Sequence, residues 1–187
     1  MVTLTADEVK SFLSNISNSE HHALFKLAFA TGMRRSELLG LRWSDIDFKK
    51  STISISQTAL KIGSTAVISN TTKTTSSKRI IAIDTDTIQE LMKHKIAIDK
   101  RRIKTMNWIN NNLVFPGIKG NPRCPDEVSK LCKKYANSIG KPAFTMHGTR
   151  HTHATLLIEN GANMKAIQER LGHASFQETM DTYSHVT

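Results

Sequence analysis

The hydrophobic period changes twice along this chain, and those two switches limit what it can fold into. From Thr5 to Leu41 apolar residues recur at helical spacing. From Ile46 to Ile83 they fall in short β-branched stretches divided by Ser, Thr, Lys and Gly, and from Asp84 onwards helical spacing returns. The fold class that follows is α+β, mostly α, with a small three-stranded antiparallel sheet. The strands are expected around Ile46–Phe48–Ile53–Ile55, at Val67, and at Ile81–Ile83, joined at Lys49-Lys50 and across 69–78.

Helix boundaries are written in cap residues. Thr5 and Glu8 stand at capping-box spacing, Ser19 is expected to cap a second helix that closes at Gly32, and Ser36 to Leu41 makes a third apolar turn. Asp84 to Thr105 reads as a long helix whose inner face carries Ile88, Leu91, Met92, Ile96 and Ile103. A short extended piece is expected at Leu113 to Phe115, and Pro125 opens another helix running to Ser138. His147 to Asn160 begins a helical C-terminal region; Asn163 and Gly172 bound the next helix, and Ser175 with Glu178 caps a third.

With 187 residues and no repeat or linker, the chain reads as one domain able to bury its own core. Cys124 and Cys132 form neither a C-x-x-C pair nor a disulfide framework. No apolar run approaches the roughly 18 residues of a membrane span, and the first residues lack a signal-peptide core. A cytoplasmic protein is expected. The net charge of +10 is concentrated: residues 61–150 carry 17 basic and 6 acidic side chains, and the remainder is nearly balanced. A localised basic surface points to a polyanion, nucleic acid before lipid.

Several residues can carry chemistry. His147 and Arg150, three apart in the first turn of a helix, share a face with free N–H groups and the positive dipole end, a setting for an anion. Arg34 lies just past Gly32 with Glu37 in the next turn, so the carboxylate can orient the guanidinium as a phosphate fork; alone, the pair also reads as a surface ion pair. Lys73 sits in a Thr/Ser-rich stretch between strands, where a lysine can reach a bound ligand. His173 follows a helix end, and Tyr183 shares a face with Phe176 and Met180. A free phenol is ionised in only about one molecule in a thousand at pH 7, so a tyrosine nucleophile needs a base and cations beside it.

In order, Arg34, Lys73, His147, Arg150, His173 and Tyr183 resemble the active-site series of the tyrosine recombinase (phage integrase) family. The surrounding text is similar as well: TGMRRSELLGLRWSDIDF, TKTTSSKRIIAI, HGTRHTHATLL, IQERLGH and MDTYSHV. The likeness runs from about Leu4 to the C-terminus and looks nearest to integrases of conjugative transposons and Gram-positive temperate phages. It implies that residues 1–187 are a catalytic domain, with the N-terminal core-binding and arm-binding domains absent from this chain. It also implies that Tyr183 forms a 3′-phosphotyrosine, Arg34 and Arg150 clamp the phosphate, His147 serves as general base and Lys73 as general acid. His173 would donate a hydrogen bond to the phosphate, and Glu37 would support the site from behind. No cofactor and no metal are implied. The implied partners are double-stranded DNA attachment sites, a homotetramer on that DNA, an excisionase and a host DNA-bending protein, with no membrane. Three other readings stand beside it: type IB topoisomerase-like relaxation, a non-catalytic helix-turn-helix DNA-binding protein, and a zinc site from His147, His151, His153 and His173.

Overall fold

The computed structural model describes residues 2–63, 65–69 and 78–172. Helix α1 (Ala6–Ser14) starts at the expected capping box: Glu8 N–H donates to Thr5 Oγ1 at 3.3 Å and Thr5 N–H to Glu8 Oε2 at 2.9 Å. Helix α2 (Ser19–Thr31) is capped by Asn18 rather than Ser19, because Asn18 Oδ1 accepts from both Glu20 and His21 N–H. Adjacent cap-forming residues leave that choice to backbone geometry. Helix α2 closes at Gly32 in the left-handed region (φ 63°), and α3 (Arg35–Gly40) follows at once.

Strands β1 (Ile46–Asp47), β2 (Thr52–Ile55) and β5 (Arg79–Ala82) form the three-stranded antiparallel sheet, with Ile53 opposite both Ile46 and Ile81. The Val67 strand does not belong to it. It is β4 (Thr65–Ser69), paired with β3 (Thr58–Ile62) in a separate hairpin where Leu60 faces Val67. The chain leaves the first sheet at buried Gln57, whose side-chain amide donates to the Gly40 carbonyl. A Cβ at Gly40 would come within 2.9 Å of the Thr58 backbone, so this close helix–strand approach requires glycine.

Helix α4 (Thr85–Lys104) is capped by Asp84, which accepts from Thr87 N–H. Its buried face is Thr87, Ile88, Leu91, His94 and Ile98, whereas Met92, Ile96 and Ile103 are exposed, against expectation. A histidine takes the inner position: His94 Nε2–H donates to the Val114 carbonyl at 2.7 Å, and its ring stacks on Phe115. That hydrogen bond offsets part of the cost of burying a polar ring. Leu113 pairs with Arg42 in an isolated bridge, then come α5 (Pro125–Ser138), α6 (Met146–Glu159) and α7 (Met164–Leu171). The helix expected from Ser175 lies outside the described residues.

Helix α2 is apolar around most of its circumference and sits at the centre, against α1, α3, α4 and α6. Phe12 meets Phe25, Phe29, Tyr135 and Phe144 edge to face, with centroids 5.1–6.1 Å apart. This aromatic knot joins α1, α2 and α5 to the entrance of α6. A smaller cluster of Ala154, Ile167 and Leu171 seats α7 on α6. Between the two clusters the α2–α3 turn meets the first turns of α6, and the site lies there.

Candidate active site

The α2–α3 turn and the start of α6 form the walls of an open cleft of about 390 Å³, lined by Met33, Arg34, Arg35, Ser36, Ser129, Thr145, Met146, His147 and Arg150. Arg34 is the N-cap residue of α3, in extended backbone. Its N–H donates to Glu37 Oε2 at 2.9 Å and its Nη1 to Glu37 Oε1 at 3.1 Å, while Nη2 reaches the Gly172 carbonyl at 3.2 Å. The neighbouring Arg35 lines the cleft on its α5 side, donating to Ser129 Oγ and to the Pro125 carbonyl.

Glu37 is 2 % exposed, so the surface-ion-pair reading of Arg34–Glu37 does not hold. Burial alone would raise its pKa. The hydrogen bonds and charge of Arg79, followed by those of Arg34, outweigh burial and hold the carboxyl below its ordinary value. Arg79, at the start of β5, donates from Nη1 to Glu37 Oε1 at 3.0 Å and from Nη2 to Oε2 at 2.9 Å.

Arg150 lies one turn into α6, 2 % exposed as a residue, and its Nη1 donates to the Gly32 carbonyl at 2.9 Å. Gly32 is needed there twice over: its φ is +63°, and a Cβ would meet His153 Cδ2 at 2.7 Å and Leu171 Cδ2 at 2.8 Å. His147 is exposed at the cleft, its ring edge-on to His151 at 4.6 Å. Partial desolvation of that ring, then the charges of Arg150 and Arg34, hold its pKa below the ordinary histidine value. That shift favours the neutral imidazole, whose ring nitrogen can take a proton.

The sequence pattern of the phage integrase family matches residues 2–187. The chain belongs to that family. It is 32 % identical to the XerC-like tyrosine recombinase of Caldanaerobacter subterraneus subsp. tengcongensis, over 98 % of this chain and 50 % of the relative. It is 33 % identical to the integrase of a Staphylococcus phage, over 96 % of this chain and 53 % of the relative. The chain thus spans about half the length of the curated relatives it matches. A solved structure of the Tn1549 transposon integrase with circular intermediate DNA superposes with a TM-score of 0.83, at 28 % identity, covering all of this chain and 63 % of that one. The fold is the tyrosine recombinase catalytic fold.

Within this integrase fold, the tertiary structure brings together Arg34, Glu37, His147 and Arg150 from the expected set. Lys73, His173 and Tyr183 lie outside the described residues. The zinc reading loses one of its ligands: His153 Nδ1–H donates to the Phe29 carbonyl at 2.8 Å, and Nε2 accepts from Arg170 Nε at 3.0 Å. Arg79 and Arg170 are the participants that sequence reasoning missed. Arg170 also donates to the Ala30 carbonyl at 2.9 Å, bracing α7 against the end of α2. The signal for Arg79 was present in TKTTSSKRIIAI, as a cation two residues before Ile81 and so on the same, inward face of the strand. Among the described residues, no helix is long and apolar enough to cross a membrane.

Proposed function

We propose that this chain is the catalytic domain of a site-specific DNA recombinase that integrates or excises a mobile element. The observation that carries the reading is the convergence of Arg34 and Arg150 on one cleft, with His147 beside them and a buried carboxylate orienting one arginine. The names of the relatives support it: tyrosine recombinase, integrase, and a transposon integrase solved with DNA.

In this reading the two guanidinium groups hold the non-bridging oxygens of a scissile phosphate and stabilise the charge that develops as it is attacked. His147 accepts the phenolic proton as Tyr183 Oη bonds to phosphorus. The bond to the 5′-oxygen breaks, Lys73 protonates that leaving oxygen, and His173 donates a hydrogen bond to the phosphate. The product is a 3′-phosphotyrosine and a 5′-hydroxyl. Attack by a second strand's 5′-hydroxyl restores the phosphodiester and frees Tyr183. One phosphoester replaces another at each step, so the sequence of reactions is close to isoenergetic and asks for no external energy source. Double-stranded DNA is the substrate, with four protomers on two attachment sites and an excisionase and a host DNA-bending protein as accessory partners.

The test is covalent trapping on nicked half-site duplexes, from which the cut piece diffuses away. The parent chain within its full-length protein should form a denaturant-resistant adduct, and Tyr183→Phe should form none. Arg150→Ala should slow adduct formation by a factor of about 10²–10³. An adduct formed by Tyr183→Phe at the parental rate would refute the nucleophile. Relaxation of supercoiled plasmid without joining of two sites would favour topoisomerase action instead.

A further inference from the structure

Arg79 lies outside the cleft lining and its side chain is 7 % exposed, yet it touches every described element that supports Arg34. Both terminal nitrogens bond to Glu37, one to each oxygen, and Nε donates to the Arg170 carbonyl at the end of α7 at 2.7 Å. Its guanidinium also packs on Gly172, where an added Cβ would come within 2.9 Å of Nη1. Gly172 in turn gives its carbonyl to Arg34.

The charges around the carboxylate decide what this arrangement does. Glu37 contributes one negative charge, and Arg34 and Arg79 one positive charge each. The cluster is therefore net positive, and its more exposed cation is Arg34, at 36 % against 7 % for Arg79. Without Arg79, the buried carboxylate would keep Arg34 as its one remaining ionic partner among the described residues. In a poorly solvated setting the attraction between them strengthens, drawing Arg34 down onto Glu37 and cancelling its charge.

We propose that Arg79 is a positioning residue for strand cleavage, neutralising Glu37 from behind so that Arg34 keeps its charge and its reach for the scissile phosphate. This rests on the recombinase reading above. Arg79 touches no substrate; it acts through Glu37 and Arg34.

The experiment measures the rate of covalent adduct formation by the full-length protein on a pool of nicked duplexes with randomised half-sites, alongside duplex retention and thermal melting. Arg79→Gln should cleave about tenfold to a hundredfold more slowly, a smaller effect than outright loss of a phosphate donor, with duplex retention unchanged. Adding Glu37→Gln to Arg79→Gln should recover at least about fivefold of that rate, because the charge that captures Arg34 is gone while the amide oxygen can still accept from the Arg34 N–H. A purely structural role for Arg79 predicts no such recovery. Arg79→Lys keeps the charge but cannot reach both carboxylate oxygens and the Arg170 carbonyl at once, and it should cleave within about fivefold of the parent. Should Arg79→Gln fail to fold, Arg79→Lys carries the test, and a loss as deep as that of Arg34→Ala would overturn the proposal. Parental cleavage by Arg79→Gln, or no recovery on adding Glu37→Gln, would also overturn it. Absence of any adduct in the parent is a different result, since it would overturn the recombinase reading itself.

Discussion

Acidification from pH 7 to pH 5 should weaken this protein, with His153 as the main cause. The ring is held as one neutral tautomer, Nδ1–H donating to the Phe29 carbonyl and Nε2 accepting from Arg170. A second proton would have to sit on Nε2, facing a guanidinium. Burial first, then the charge of Arg170, lowers the pKa from 6.5 to about 4. Between those values the unfolded chain binds a proton that the folded one refuses, so stability falls as pH falls through that window. At pH 5 the loss is about 2 kcal/mol, and by pH 4 it approaches 3 kcal/mol. In a chain of this size, 2 kcal/mol lowers the melting temperature by about 4–8 °C. His21, His94 and His147 are shifted in the same direction and add to the trend. The depressed carboxyls, Glu37 among them, lose their contribution only as pH falls below their ordinary range. The assay is urea unfolding at pH 7 and pH 5 for the parent and His153→Gln, whose amide can donate to Phe29 but does not titrate. The variant should lose about 2 kcal/mol less than the parent between the two pH values, whatever its absolute stability. Equal losses in the two proteins would refute the argument.

Two further changes test the frame that holds the site. Gly32→Ala forces a left-handed alanine and drives a Cβ into His153 and Leu171. A loss of about 2–4 kcal/mol is expected, read as a lower urea midpoint at unchanged slope. Thr5→Ala removes one half of the α1 capping box and should cost about 1 kcal/mol in the same assay, without affecting adduct formation.

Chain-local features were legible in the residues themselves. The capping box of α1, the glycine that ends α2, the proline that opens α5 and the Asn163–Gly172 frame of α7 each satisfy backbone groups within a few residues, so their signal is short-range. The inner face of α4 is not legible from periodicity because its apolar residues occupy two sides, and the buried side is chosen by what packs on it. His94 takes an inner position because Val114, twenty residues away, offers a carbonyl. The partner of the Val67 strand is hidden from the sequence for a related reason. Strand pairing is chosen by contacts distant in the chain, here the Gln57 hydrogen bond to Gly40 and the close approach of α3 to β3.

The same division runs through the site. By itself the sequence determined the alternation of helix and strand, the concentration of basic charge in residues 61–150, and the order of chemically apt residues that marks an integrase. Those properties depend on residue type and spacing along the chain. Tertiary structure alone decided that Glu37 is buried, that Arg79 stands behind it, that Arg150 is anchored on Gly32, and that His153 is braced by Arg170. These are contacts between groups 17 to 118 residues apart, and their attraction strengthens in the poorly solvated interior, which exists only once the core has closed around them.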